Sequence, residues 1–304
     1  MAGSPFGAPG RWLRGNLHGH TTASDGRLSP EEYVAAYRAR GYDFVAATDH
    51  WRLTDLRPFR GQGFAVVPGA EVDGRAPAPF GHHVVALGIG ALPPRSPDAG
   101  LQATVDAVRA LGGIAVVAHP YETGLTSAHL LEADGYIGLE VWNTLSVVGW
   151  GKGLAAVQWD ELLQAGRRPA GLATDDTHQR DGRLDDLGFG WVMVRADAAE
   201  PDAILAALAA GRFYASTGPE IHDFRVEPGP DGARHARVAC SPCRFVHFLC
   251  DRGLGRTVAA GPESDLQAAS QTLHPAATYV RVQCEDHRGR TAWGPAVALG
   301  PGTP

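Results

Sequence analysis

Seven short apolar runs in the first 180 residues each end in, or are bordered by, histidine, aspartate or glutamate. In chain order they are RWLRGNLH, DFVAATDH, GFAVVPGAEV, HHVVALGI, GIAVVAHP, GYIGLEVWN and RPAGLATDDTH. Most are near-continuously apolar, as strands covered on both faces are. Helical patterns alternate with them, which predicts βα units and a parallel sheet or barrel. In such a barrel the C-terminal strand ends converge on one face. The chain is therefore constrained to bring His18, His20, His50, Glu71, His119, Glu140, Asp176 and His178 to one place. The fourth run differs, since His82 and His83 stand at its start. Of thirteen histidines, seven fall at these edges, and imidazole–carboxylate clusters of this kind are what transition metals take as ligands.

The helices between the runs carry their own signals. LSPEEYVAAYRARG predicts an N-cap at Ser29, Pro30 in the first turn, a capping box closed by Glu32 and a left-handed stop at Gly41. LQATVDAVRALGG, GLAAVQWDELLQAG and EPDAILAALAAGRF follow the same periodicity. From about Pro219 that periodicity is lost. HDFRVEPGPDG, ARVACSPC, RFVHFLCDRG, ATYVRVQCEDHRGR and AWGPAVAL read as strands with Gly/Pro turns, hence a small antiparallel β domain. The expected division is a flexible N-terminus over 1–11, a barrel over 12–217 and a β-sandwich-like domain over 218–304.

Composition excludes several classes. A net charge of −6 with no block of lysine or arginine gives no surface for nonspecific nucleic-acid binding. The first fifteen residues lack the apolar stretch of a signal peptide, and no run approaches a membrane span, so the cytoplasm is the expected compartment. Four cysteines all follow residue 239. Cys240 and Cys243 form a CxxC that Cys250 and Cys284 would complete as a zinc knuckle. Reduced cysteines packed in a β-rich segment are the plainer reading and the favoured one, because the second pair lacks that spacing.

Each strand-end residue has a plain alternative. His18 and His20 flank Gly19, so both imidazoles point the same way from an extended strand and can chelate one ion, or line a polar loop. Asp25 sits in SDG, where turn chemistry alone favours it. His50 could be a satisfied core histidine, whereas an unpaired Glu71 carboxylate at a buried strand end would be costly. His119 precedes Pro120, which turns the chain. Asp176 and His178 repeat the i, i+2 spacing of His18 and His20. All the plain readings would have to hold together for the pattern to be accidental; a multinuclear metal site accounts for it at once.

The ordered set H-x-H, TDH, GAE, AHP and D-x-H resembles the PHP (polymerase and histidinol phosphatase) family over roughly Trp12 to Thr217. The DDTH form, GRFYASTGP and the β-rich tail resemble its CehA/McbA-type branch, which includes carbamate-ester hydrolases. The resemblance implies a distorted seven-stranded β/α (TIM-like) barrel holding two or three divalent ions (Zn, Mn or Fe). By that likeness His18, His20, Glu71 and Asp176 hold the first ion. Glu71 bridges to a second completed by His83 and His119, with His82 as the alternative to His83. Asp25, His50 and His178 hold a third; many relatives have histidine where this chain has Asp25, and a carboxylate is the harder ligand.

The function that follows is ester hydrolysis by a metal-bridging hydroxide positioned by Glu71, Asp176 and His178, since bound ions lower the pKa of water and neutralise developing charge. The expected substrate is a small phosphomonoester or phosphodiester, with carbamate or carboxylic ester hydrolysis as the alternative and a noncatalytic metal-binding accessory module behind both. Asp49, Glu140 and Asn143 are expected to orient ligands or touch substrate. Arg27, Arg180 and Lys152 are candidate anion clamps. Trp142, Trp150 and Trp159 could wall a pocket or pack the core. No serine nucleophile elbow, P-loop or dinucleotide fingerprint competes.

Overall fold

A computed structural model describes residues 4–76, 81–179, 185–229 and 232–300. Residues 11–174 contain strands β1 (Arg11–Asn16), β2 (Phe44–Ala47), β3 (Ala65–Gly74), β4 (His82–Leu87), β5 (Ile114–Val117), β6 (Gly138–Asn143) and β7 (Ala170–Thr174). They neighbour one another in sequence order. Four of these pairings are parallel: β1–β2, β2–β3, β5–β6 and β6–β7. The edges of the row are joined beyond β1 and β7. Gly19 and Thr177 form an isolated parallel bridge, His20 N donates to Thr177 O at 2.9 Å, and Asp176 N donates to His18 O at 2.9 Å. Gly19 is required there: a Cβ would meet the Tyr33 hydroxyl at 2.6 Å.

One strand corrects the all-parallel expectation. β4 is antiparallel to both β3 and β5. A parallel crossover needs a dozen or more residues, usually a helix, and only residues 75–81 separate β3 from β4. The reversal explains why the histidines of this strand stand at its start. In a reversed strand the start lies at the same end of the sheet as the finish of its neighbours. Alternate residues of β4 then serve different cores, Val84 and Ala86 packing with Val105 and Val108, and Val85 and Leu87 with Phe44 and Val67.

The helices are α1 (Pro30–Ala39), α2 (Leu101–Ala110), α3 (Pro120–Thr123), α4 (Ser127–Leu131), α5 (Thr144–Trp150), α6 (Ala156–Gln164) and α7 (Pro201–Ala209). α1 begins with the Ser29/Glu32 capping box, both arms formed, and Gly41 takes φ 75° behind it. Its buried face is Tyr33, Val34 and Tyr37. Among the described residues no helix is long and apolar enough to cross a membrane.

β8 (Trp191–Ala196) pairs antiparallel with β1 and with β9 (Phe213–Ser216), and carries the sheet on beyond β1. The remaining strands are β10 (Ile221–Pro228), β11 (Arg234–Cys243), β12 (Phe245–Cys250), β13 (Arg256–Ala259), β14 (Leu266–Thr272), β15 (Tyr279–Glu285), β16 (Thr291–Trp293) and β17 (Val297–Ala298). β16 pairs with β9, so β16, β15, β12 and β13 continue the large sheet, while β10, β11 and β14 form a separate one. The PGPDG turn of β10 falls at 230–231, outside the described residues. Phe224, Val238, Val246, Phe248, Val280 and Val282 fill the core between these strands.

From residue 4 onward the N-terminal segment packs. Ser4 caps a short 3₁₀ turn at Pro5–Gly7 and donates to Phe224 O at 3.2 Å, while Phe6 lies 5.4 Å from Trp12 and 6.0 Å from Tyr214. An aromatic contact of that kind gains apolar burial and ring–ring attraction together, which outweighs the low order expected of Gly and Pro. On the other side of the molecule, Arg281 of β15 is 1% exposed and makes a bidentate pair with Asp160 of α6, both bonds 2.7 Å.

Candidate metal centre

The strand ends deliver their side chains as the sequence pattern requires. Glu71 of β3 is at the middle. Its Oε1 is 3.3 Å from His18 Nε2, 2.8 Å from His83 Nδ1 and 3.2 Å from His119 Nε2. Its Oε2 is 3.3 Å from His20 Nε2 and 3.1 Å from His50 Nδ1. Asp176 Oδ1 lies 3.2 Å from His18 Nε2 and 3.1 Å from His20 Nε2. Asp25 Oδ1 faces His178 Nε2 at 3.2 Å, His20 Nδ1 at 3.6 Å and His50 Nε2 at 3.8 Å. All nine residues expected as ligands therefore meet.

Four overlapping groups result, in each of which the ligand atoms lie within 4.8 Å of one another: His20, Asp25, His50 and His178; His18, Glu71 and His119; His18, His20 and Asp176; His50, Glu71 and His83. His18, His20, His119, Asp176, His178 and Glu71 are buried, whereas His50 and His83 are half-buried and Asp25 is exposed. The open side of the centre is thus the side of Asp25, His50 and His83.

The arrangement fits divalent ions on its own chemistry. Asp176 Oδ1 is buried and accepts no hydrogen bond, although two imidazole nitrogens stand next to it. His18 Nε2 and His20 Nε2 converge to 3.4 Å, an approach in which two lone pairs face each other unless a cation or proton lies between. Backbone strain marks the same places: His119 takes φ 23° and Asp176 φ 53°, and non-glycine residues persist there only where the surroundings impose it.

Surrounding hydrogen bonds fix the imidazoles. Glu140 Oε1 accepts from His18 Nδ1 at 2.7 Å and from Thr174 Oγ1 at 2.7 Å. Its Oε2 accepts from His119 N and Asn143 Nδ2, both at 2.8 Å. With its Nδ1 proton held there, His18 presents Nε2 to the centre. Asn143 also donates to Asp176 Oδ2 at 3.2 Å and caps α5 through Ser146 N at 2.9 Å. His178 Nδ1 donates to the Asp176 carbonyl at 2.9 Å, which turns Nε2 toward Asp25.

Asp49, expected to orient a ligand, is not bonded to its neighbour His50. It accepts from Thr21 N and Thr21 Oγ1 at 2.8 Å, from Ser24 Oγ at 2.6 Å and from Thr54. Ser24 Oγ is 3.4 Å from His20 Nδ1, so Asp49 reaches His20 through the loop it ties down. His82 is bonded elsewhere, with Ala76 O and Thr104 Oγ1 at its two nitrogens at 2.7 and 2.8 Å. Arg27 N donates to His178 O at 2.9 Å, which places its backbone beside the centre. Lys152 lies over the exposed Tyr121 ring at 5.9 Å. Arg180 lies outside the described residues. Trp159 is core, its Nε1 donating to Pro169 O at 2.8 Å, Trp142 is partly buried and donates to Thr144 Oγ1 at 2.9 Å, and Trp150 is exposed.

Three acidic residues were not foreseen. Asp175 and Asp186 are buried; Asp186 accepts from Thr177 Oγ1, His178 N and Gln179 N and so shapes the loop that carries His178. Glu122 receives the Ser146 hydroxyl and lies 3.8 Å from His119 Nδ1. Only Glu122 had a local cue, three residues after His119 on a helical turn.

The charges are strongly coupled. Burial lowers His20 and His119, yet the Asp176 and Glu71 carboxylates beside His20, and Glu71 beside His119, push both up to about 9. Burial would raise Glu71, but His83, His18 and His119 hold it well below the usual carboxylate range. For the metal-free protein the sign is fixed. Histidines with folded values near 9 and an ordinary value of 6.5 stabilise the fold fully below 6.5, and that stabilisation is lost as pH rises through 9. Chelator-treated protein should therefore be less stable at about pH 9 than at about pH 6, by roughly 2–4 kcal/mol, and melt lower. A melting temperature that is flat or rising over that window in calorimetry counts against the coupled site.

No protein-family model and no curated protein sequence matches this chain. Among solved structures, a two-domain protein from Bacteroides vulgatus, described as containing a predicted PHP-like metal-dependent phosphoesterase, superposes with a TM-score of 0.53 at 16% identity, covering 96% of this chain and 97% of that one. An amidohydrolase from Chromobacterium violaceum with bound sulfate gives 0.42 at 19% identity, over 56% of this chain and 89% of that one. A lesion-specific endonuclease from Pyrococcus furiosus gives 0.43 at 11% identity, over 86% and 69%. The first of these shares the fold along the whole chain.

Proposed function

We propose that the chain is a metal-dependent hydrolase of the PHP type, a phosphoesterase acting on a small phosphomonoester or phosphodiester. The observation that carries this reading is Glu71, whose two oxygens are approached by five imidazoles. A carboxylate so placed can bridge two cations. His18, His20, Glu71 and Asp176 would hold one ion, Glu71, His83 and His119 a second, and Asp25, His50 and His178 a third. The reading of β1–β7 as a closed seven-stranded barrel rests on the Gly19–Thr177 bridge.

When bound, such ions lower the pKa of water and neutralise charge on the oxygens of the ester under attack. The protein's own part is positional. Glu140 keeps the His18 proton on Nδ1, Asn143 steers Asp176, and the Asp176 carbonyl keeps the His178 proton on Nδ1. The half-buried His50 and His83 and the exposed Asp25 leave the centre open on one side, where a substrate can enter. With six imidazoles neutral, three carboxylates offset only part of the charge of two or three divalent ions, and the positive remainder suits an anionic substrate such as a phosphate ester.

Carbamate or carboxylic ester hydrolysis is the second reading, because the same ions polarise a carbonyl oxygen equally well. Turnover by Mn-, Zn- and Fe-loaded protein on p-nitrophenyl phosphate, bis-p-nitrophenyl phosphate and a naphthyl carbamate separates the two. Phosphate-ester turnover exceeding carbamate turnover is expected. The reverse order moves the function to the second reading, and no turnover of any of the three by fully loaded protein removes the hydrolase proposal.

A further inference from the structure

The C-terminal strands hold a second cluster of metal-ligating side chains, far from the imidazoles in sequence and built by an irregularity of β11. Ala236, Val238 and Cys240 alternate inward along this strand. Continued in strict alternation, Cys243 would point outward, since residues an odd number apart face opposite sides. The register breaks instead between Ala239, opposite Ala268, and Cys243, opposite Leu266. Three residues of β11 thus stand against one of β14, and this bulge turns Cys243 back into the core. Both thiols then face Cys284 of β15, which pairs with Val246 and Ala292 in the other sheet.

The three sulfurs lie within 4.8 Å of one another, and all three residues are buried: Cys240 is 2% exposed, Cys243 and Cys284 0%. None is in a disulfide. Cys250, which the sequence grouped with them, is on β12 and outside the cluster. Three thiolates at a Zn–S distance of about 2.3 Å lie about 3.8 Å apart, inside the 4.8 Å that encloses these three sulfurs.

We infer that Cys240, Cys243 and Cys284 form a thiolate site for a thiophilic divalent ion, Zn²⁺, which ties the β10–β11–β14 sheet to the large sheet. This site is separate from the imidazole centre in ligand type, and thiolates select soft and borderline ions where carboxylates select hard ones.

Cobalt distinguishes the two sites. Reduced, metal-free full-length protein titrated anaerobically with Co²⁺ is expected to show thiolate-to-cobalt charge-transfer absorption in the near ultraviolet, displaced by Zn²⁺. The band should persist in the His20→Ala/Asp176→Ala double variant and in Cys250→Ser, and vanish in Cys284→Ser. Because Cys284→Ser could fail to fold, the wild type supplies an independent measure. Zn²⁺ should slow alkylation of three of the four thiols, counted by mass spectrometry, by about tenfold or more, leaving Cys250 unprotected. Absence of the charge-transfer band in wild-type protein, its loss in the His20→Ala/Asp176→Ala variant, or alkylation unaffected by Zn²⁺ overturns the assignment.

Discussion

Glu71→Gln is expected to lower kcat/KM by on the order of 10³-fold or more, since divalent ions contribute several kcal/mol to such transition states. It should also reduce bound divalent metal by more than one equivalent. The reason lies in the two oxygens. Oε1 faces His18, His83 and His119, and Oε2 faces His20 and His50. Glutamine keeps the volume, but one of its two termini becomes an amide that donates rather than accepts. Whichever way the amide turns, both sets of imidazoles lose the shared negative charge and one of them also loses its acceptor. Metal analysis, activity and circular dichroism on the same preparation check this. A variant that retains the wild-type metal content and activity removes Glu71 as the bridge and with it the multinuclear reading.

Much of this centre was legible in the sequence because strand ends are a one-dimensional signal of a three-dimensional coincidence. Parallel strands bring their C-terminal residues together regardless of how the loops run, so HGH, TDH, GAE, AHP and DDTH could be placed at one face from their positions alone. The direction of β4 was hidden, because a near-continuous apolar run such as HHVVAL reads the same in either orientation. Its clue was the short stretch separating it from β3, too short for a crossover helix. The choice between His82 and His83 was likewise beyond the local pattern, since it depends on Thr104, a residue of the following helix, which bonds His82.

The supporting residues were harder to see for a different reason. Asp186 shapes the His178 loop, yet nothing in RLDDLGF distinguishes it from an exposed turn aspartate. Asp49 stands next to His50 in sequence but its partners are Thr21, Ser24 and Thr54, so adjacency does not name them. Ligands carry a type and a spacing that chemistry demands, whereas hydrogen-bond partners need only be near in space. The cysteines show both cases at once. The CxxC was visible, but Cys284 joins it rather than Cys250 because a bulge, not a spacing, decides which way Cys243 points.

Asp175, one residue before Asp176 in DDTH, is where the largest loss of stability is expected. Its carboxylate is 0% exposed and accepts from Tyr37 Oη at 2.8 Å, Thr144 Oγ1 at 3.1 Å and the backbone N–H groups of Gly188, Phe189 and Gly190 at 2.6, 2.9 and 2.8 Å. Asp175→Ala leaves these five donors facing a void. Each buried unsatisfied group costs about 1–3 kcal/mol, and rearrangement recovers part of the sum, so a net loss of about 3–5 kcal/mol is expected. For a chain of this length that corresponds to a melting temperature lower by roughly 10 °C. Asp175→Asn should fall between, because its oxygen still accepts while its amide opposes the remaining donors. Excess divalent ion should restore part of the melting temperature, since ligand binding to the folded state opposes unfolding by mass action. An alanine variant that melts within about 2 °C of wild type, less than 1 kcal/mol by the same conversion, would show that the five bonds are not what holds the β7 end in place.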